Sequence, residues 1–236
     1  YTWRYRLAKH LERTAPGRVD FVGDREDLWD NVADVGGSLD YADPDFDREH
    51  HSRWGISIKD QFDLGDVLRR VPADVVLLAA GANDLSYYTN PPDTIEVLRR
   101  VIDAARAANP DITFVVGHVL TRADFSTNEF NLPGAPEFNT LLDAVAPTWS
   151  TPTSRVLVAR TDEGWNPFAH AWDGSHPTPD GEVLIARGFA DALASLGIGE
   201  PYGPVESGIA WPGTGRAPTA VPDGPTRVRL AWPATP

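Results

Sequence analysis

The chain has 236 residues, of which 42% are hydrophobic and 10% aromatic, enough for one α/β domain with a sizeable core and too apolar for a disordered chain. Its 21 basic against 34 acidic residues give a formal charge of -13, which argues against a surface that tracks phosphates, so no nucleic-acid partner is expected. The absence of cysteine excludes disulfides, thiolate metal sites and cysteine nucleophiles, and no apolar run approaches the roughly 18 residues of a membrane span.

In chain order, Trp3, Leu7, Ala8 and Leu11 recur at helical spacing behind Thr2, which predicts a capped amphipathic helix over 2–14. Arg18 to Gly23 reads as a short strand, and the Asp-rich stretch 24–50, which has no period, as a long surface loop. Ile58, Phe62 and Leu68 predict a helix near 57–70. The run Asp74 to Ala80 (DVVLLAA) is continuously apolar, the pattern of a parallel strand covered on both faces, and it leads into Gly81, Ala82, Asn83 and Asp84. A helix over 93–108, a buried strand over 112–119, a helix near 136–146, a strand over 155–159 and a helix from Pro179 to Leu196 complete an alternating series, with no internal repeat.

From residue 199 the chain is dense in Pro and Gly, so 1–198 is expected to be one domain and 199–236 a linker and the start of a β-rich module. Its last stretch, Thr226 to Pro236, alternates Val228, Leu230 and Trp232, reads as a strand with one apolar face and is similar to an early strand of a fibronectin type III domain; an ordinary terminal strand or tail fits the same pattern. No Met and no signal-peptide pattern occurs, and the chain opens on a helical period, so it is expected to begin inside a longer gene product.

Two segments carry chemistry. In Trp172 to Gly181 (WDGSHPTPDG), Asp173 precedes His176 by three residues on one turn; a carboxylate there can accept the Nδ1 proton of His176 and leave Nε2 as a general base toward a hydroxyl. Gly81 to Asp84 (GAND) lies at the carboxyl end of the most buried strand, where open α/β sheets place their crevices, and the Asn83 amide offers two donors to a developing oxyanion. Taken singly, each also fits a structural turn.

Together, G-x-N-D and D-x-x-H-P in this order resemble the third and fifth blocks of the SGNH/GDSL hydrolase family. Val19 to Gly23 is similar to the family's second strand, Phe46 to Ile56 to its second block, and Asn139 stands where relatives often open a helix. The resemblance implies a flavodoxin-like, three-layer α/β/α fold with a parallel central sheet. It implies His176 as base, Asp173 as its orienting acid and Asn83 as an oxyanion donor. Where relatives read His-Ser-Gly-Trp, this chain has His51-Ser52-Arg53-Trp54, so a backbone N–H at Arg53 would be the second donor, with Gly55 as the rival alignment. Gly81, Asp84, His118 and Trp172 are expected around the pocket.

The family's Gly-Asp-Ser block, on a first strand in the middle of the sheet, has no counterpart here. Gly23-Asp24-Arg25 imitates it, but ends the second strand and has Arg where Ser is needed. Ser175 adjoins His176 and Ser52 reads as structural, so the nucleophile is expected upstream of Tyr1. A sheet lacking that strand would expose ladder edges, unless another segment, such as 226–232, fills the gap.

Asp43, Asp45, Asp47, His50 and His51 cluster without metal spacing and read as a solvated loop, so no metal or organic cofactor is expected. Trp165, Phe168, His170 and Trp172 form either a substrate wall or a loop anchor. The expected function is serine ester hydrolysis of an acetylated carbohydrate, a lipid or a small acyl ester, by a secreted, multidomain protein; the alternative is an inert SGNH-like domain that binds carbohydrate or a protein partner.

Overall fold

A computed structural model describes residues 2–30, 34–39, 41, 43–205, 207–209 and 219–231. Its first helix, α1 (Trp3–Thr14), starts at Thr2, whose hydroxyl accepts from the Tyr5 N–H. Strands β1 (Leu28–Asp30) and β2 (Val35–Ser38) pair antiparallel within the stretch expected to be only a loop. A 3₁₀ turn (Ile58–Asp63) runs into α2 (Leu64–Arg70), dividing the single helix expected there.

The sheet begins with β3 (Val75–Leu78). A π-helical turn (Asp84–Tyr88) and α3 (Pro91–Ala108) lead to β4 (Thr113–Gly117). The start of α3 follows from its sequence: the Asn90 side chain caps Asp93 N–H at 2.9 Å, Pro91 needs no hydrogen bond at N1, and Asp93 favours the positive helix end. The antiparallel pair β5 (Arg122–Asp124) and β6 (Glu129–Asn131) comes next, followed by α4 (Gly134–Trp149) and β7 (Val156–Ala159). A short helix α5 (Pro167–His170) precedes α6 (Pro179–Ala194), and β8 (Thr219–Pro222) pairs antiparallel with β9 (Val228–Ala231).

Strands β3, β4 and β7 form a parallel sheet in that order, with Leu78 opposite Val116 and Gly117 opposite Ala159. The period of two in each strand sorts its side chains into two cores. Val76, Leu78, Phe114, Val116, Val156 and Val158 face the core built with α2, α3 and α4. Val75, Leu77, Val115, Leu157 and Ala159 face the one built with α1 and α6. This is the three-layer α/β/α arrangement expected. Central β4 is buried from Phe114 to Gly117, whereas Val75, Val76 and Leu77 of β3 are only half-buried, because β3 has a neighbour on one side only among the described residues.

The same fact corrects the strand expected over Arg18 to Gly23. Val19 and Phe21 pack into the α1/α6 core and the Phe21 N–H is held by Asp47 Oδ2 at 2.8 Å, but no described strand lies beside the segment, and a strand requires a ladder partner. Nor does the C-terminal stretch fill the gap: β9 bonds to β8, and both strands are exposed throughout. Trp232 lies outside the described residues. No helix among the described residues is long and apolar enough to cross a membrane.

Candidate active site

The loop from α5 to α6 is a narrow hairpin. The N–H of Trp172 donates to the His176 carbonyl at 2.9 Å and that of Thr178 to the His170 carbonyl at 2.8 Å, bringing Asp173 and His176 to its tip. Thr178 then caps α6 and Pro179 opens it, so the Thr-Pro after His176-Pro177 ends the loop. Gly174, at φ +85°, makes the turn: its carbonyl accepts from Ala123 N–H at 2.8 Å, and a Cβ at this position would land on the Ala123 carbonyl oxygen.

At the tip, His176 Nδ1 lies 2.6 Å from Asp173 Oδ2. Asp173 Oδ1 accepts from the backbone N–H groups of His176 at 2.7 Å and Ser175 at 2.9 Å. Burial alone would push the Asp173 carboxyl up, but the hydrogen bonds from the His176 ring and these two N–H groups outweigh it and hold it below the ordinary carboxylate value. An ionised carboxylate only accepts, so the ring proton sits on Nδ1 and the Nε2 lone pair is uncommitted by any described residue. The ring is sandwiched between Trp54, at 5.4 Å between centroids, and Trp172, at 5.7 Å; Trp29 stacks on the far side of Trp54 at 5.7 Å. Trp54 and Trp172 remain 53% and 55% exposed, which leaves indole surface beside the imidazole open to a ligand.

Asn83 lies in the turn after β3. Its Nδ2 donates to the Ile56 carbonyl at 3.2 Å and its Oδ1 accepts from Arg122 Nη2 at 3.2 Å. The loop holding Trp54 and Ile56 therefore touches both His176 and Asn83, and the consecutive residues Arg122 and Ala123 of β5 bond to Asn83 and to the His176 loop. Arg53 points its guanidinium at Asp63, and Gly55 turns the chain at φ +69°. The N–H groups of Arg53 and Gly55 are hydrogen-bonded by no described residue, so the geometry leaves both alignments of the second donor standing.

The other expected pocket residues lie deeper. At Gly81, φ +117°, an added Cβ would stand 2.8 Å from Val119 Cγ2, so this glycine serves core packing. His118 is buried, with Nδ1 2.7 Å from Asp162 and Nε2 3.1 Å from Asp143, so both ring nitrogens are already engaged. Asn139 closes the same network, exchanging two hydrogen bonds with the Val119 backbone and donating to Asp162 at 3.2 Å.

Asp84 is fully buried, and its Oδ2 accepts from the Ile58 N–H at 2.7 Å, pinning the loop that carries Trp54. Burial pushes its carboxyl up against the pull of the Ile58 and Lys59 N–H groups. Asp84→Ala orphans the Ile58 N–H and should lower the unfolding free energy by about 1–3 kcal/mol in chemical denaturation. Asp84→Asn keeps an acceptor. Because the native pKa lies above the unfolded one, ionisation costs wild-type stability as pH rises through the two values, so the deficit of Asp84→Asn should be smaller at pH 8 than at pH 4.

The acidic loop is committed internally. His51 bridges Asp24 and Asp63, His50 Nε2 lies 2.8 Å from the Asp27 carbonyl, and Asp43 pairs with Lys9. No group of three or more metal-ligating side chains is placed to share an ion among the described residues. Of the aromatic run, Trp172 reaches the site, while Trp165 anchors the loop by donating to the Thr121 carbonyl at 2.9 Å. Phe168 packs against the exposed Phe125 and Phe130 of the β5–β6 hairpin. Sequence reasoning missed Arg122 and the stacking of Trp54 on His176; the only signal for Trp54 was its place in the second block.

The molecule is thus an α/β enzyme-like domain whose polar groups gather beyond the carboxyl ends of its parallel strands. It belongs to the GDSL-like lipase/acylhydrolase family, whose model matches residues 3–184, and is therefore an acylhydrolase in general class. No curated protein matches the chain. Among solved structures it is similar to a serine-to-alanine mutant of an acetyl esterase with an acetate ion: 24% identity over 83% of this chain and 91% of that one, TM-score 0.69. A carbohydrate esterase family 3 protein from Talaromyces cellulolyticus matches at 23% identity over 83% and 91%, TM-score 0.68. A family 3 carbohydrate esterase from Clostridium thermocellum matches at 21% over 82% and 86%, TM-score 0.62. These likenesses establish the fold.

Proposed function

We propose that this domain cleaves acyl groups, acetyl foremost, from carbohydrate esters through a serine supplied from outside residues 1–236. The observation that carries this reading is the Asp173–His176 pair, with Nε2 open and the ring held between two half-exposed indoles, tied through two shared segments to Asn83. His176 Nε2 takes the serine proton as its oxygen attacks the ester carbonyl, Asn83 and an N–H at Arg53 or Gly55 receive the oxyanion, and the imidazolium returns the proton to the leaving alcohol. Water then repeats the sequence on the acyl-enzyme and releases the acid. Asp173 holds the tautomer and stabilises the imidazolium.

Two observations support the substrate class. The solved structures of similar fold include an acetyl esterase and two family 3 carbohydrate esterases. The face of Trp172 turned away from His176, on a residue 55% exposed, suits the apolar face of a sugar ring. The serine is sought outside because no serine oxygen of a described residue bonds to His176, and Ser52 Oγ is engaged with His50 Nδ1 at 3.0 Å.

The test pairs hydrolysis of p-nitrophenyl acetate and acetylated xylo-oligosaccharides by the intact gene product with phosphonate labelling and peptide mapping. The expected result is hydrolysis with the label on a serine outside residues 1–236. A label on Ser52 or Ser175 overturns the nucleophile assignment. An intact protein that neither turns over esters nor takes label, yet binds the oligosaccharide, is the inert binding domain.

A further inference from the structure

We propose that Arg122 is a positioning residue that locks and polarises the Asn83 amide as an oxyanion donor, an inference that rests on the reading of Asn83 given above. In a chain with 34 acidic and 21 basic residues, half-buried Arg122 meets no carboxylate among the described residues. Both partners of its guanidinium are neutral and both belong to the turn after β3: Asn83 Oδ1 at 3.2 Å and Ser86 Oγ at 2.9 Å. Ser86 in turn donates to the Ala82 carbonyl at 2.7 Å, so the cation is seated on the backbone that presents Asn83.

The seat decides which way the amide faces. A guanidinium only donates, so the Asn83 atom beside it must be the carbonyl oxygen; the Ile56 carbonyl only accepts, so the atom beside it must be the NH₂ nitrogen. Flipping the amide would break both bonds at once. One Nδ2 proton goes to Ile56 and no described residue takes the other. A full positive charge at the carbonyl end draws electron density from the amide and strengthens that remaining N–H as a donor. The next residue, Ala123, fastens Gly174 of the His176 loop at 2.8 Å, so one short strand registers the donor against the base.

The test is a double-mutant cycle in the intact gene product on p-nitrophenyl acetate, using Arg122→Met, Asn83→Ala and the double variant. Arg122→Met should lower kcat roughly 10-fold or more, short of the ~10²–10³-fold of losing the donor itself, with KM within about 3-fold. In the Asn83→Ala background the same change should cost less than about 3-fold, because its effect passes through the missing amide. Arg122→Lys, which keeps the charge but not the fork, should recover part of kcat and serves if the Met variant fails to fold. An undiminished loss in the Asn83→Ala background overturns the proposal in favour of direct contact with substrate.

A second arm needs no turnover: in the intact gene product, the side-chain NH₂ resonances of Asn83 should shift or broaden in Arg122→Met. If they do not move in a folded variant, Arg122 does not set the amide. An intact wild-type protein without esterase activity defeats the reading of the site, and the amide spectrum still decides the role of Arg122.

Discussion

His176→Ala in the intact gene product should lower kcat on p-nitrophenyl acetate by at least about 10⁴-fold, because removing the base of a nucleophile–base–acid unit disables the unit as a whole. Asp173→Asn should cost about 10⁴-fold by a different route. The Asn oxygen can still accept from the Ser175 and His176 N–H groups, so the hairpin survives, but an NH₂ facing Nδ1 imposes the other tautomer and takes the lone pair from Nε2. The two variants should differ little in thermal stability at neutral pH, and a double variant should be no slower than either single one. A multiplicative loss in the double variant would mean that the two side chains act independently.

The Asp173 carboxyl has a native pKa below its unfolded value, because the His176 ring and two backbone N–H groups outweigh the opposing effect of burial. Its contribution to stability is therefore fully present above the ordinary carboxylate range, near 4, and is lost as pH falls through the native value. The stability advantage of wild type over Asp173→Asn should therefore shrink as pH falls below that range, and a gap that stays constant with pH would show that the carboxylate is not held ionised.

Asn83→Ala should lower kcat about 10²–10³-fold, some 2.7–4 kcal/mol of transition-state stabilisation, with little change in KM. Asn83 also fastens the Ile56 carbonyl and Arg122; Asn83→Asp keeps the acceptor for Arg122 while losing the donor both to Ile56 and to the oxyanion. A loss of kcat in Asn83→Asp as large as in Asn83→Ala assigns the effect to the missing N–H donor and not to the contact with Arg122. Arg53→Ala retains its backbone N–H and should stay within a few-fold of wild type; a large loss there would assign the role to the guanidinium.

Much of the fold was legible because it is built from local rules. The unbroken apolar run ending at Ala80 marked a strand covered on both faces, and the expected helix starts at 93 and 179 fall within two residues of Pro91 and Pro179, where α3 and α6 begin. Arg18 to Gly23 failed for the opposite reason: its pattern suits a strand, but whether a ladder forms depends on what lies beside it. The split of the helix expected near 57–70 also has a tertiary element, since Asp84, 26 residues away, holds Ile58 N–H at the head of the 3₁₀ turn.

At the candidate site, what the sequence by itself determined was the Asp173–His176 pair, because three residues on a tight turn leave two side chains little choice but to meet, and the exit from β3 that presents Asn83. Only the tertiary structure decided the rest. Arg122 reaches Asn83 across 39 residues, and Trp54 reaches His176 from a loop more than a hundred residues earlier. His118 has carboxylates from 25 and 44 residues away on its two nitrogens, which turns a plausible pocket residue into a buried one. Periodicity and capping act over one or two turns of chain and leave their mark in composition. Partners brought together by the packing of three layers leave none, and the electrostatics of the candidate site come from such partners.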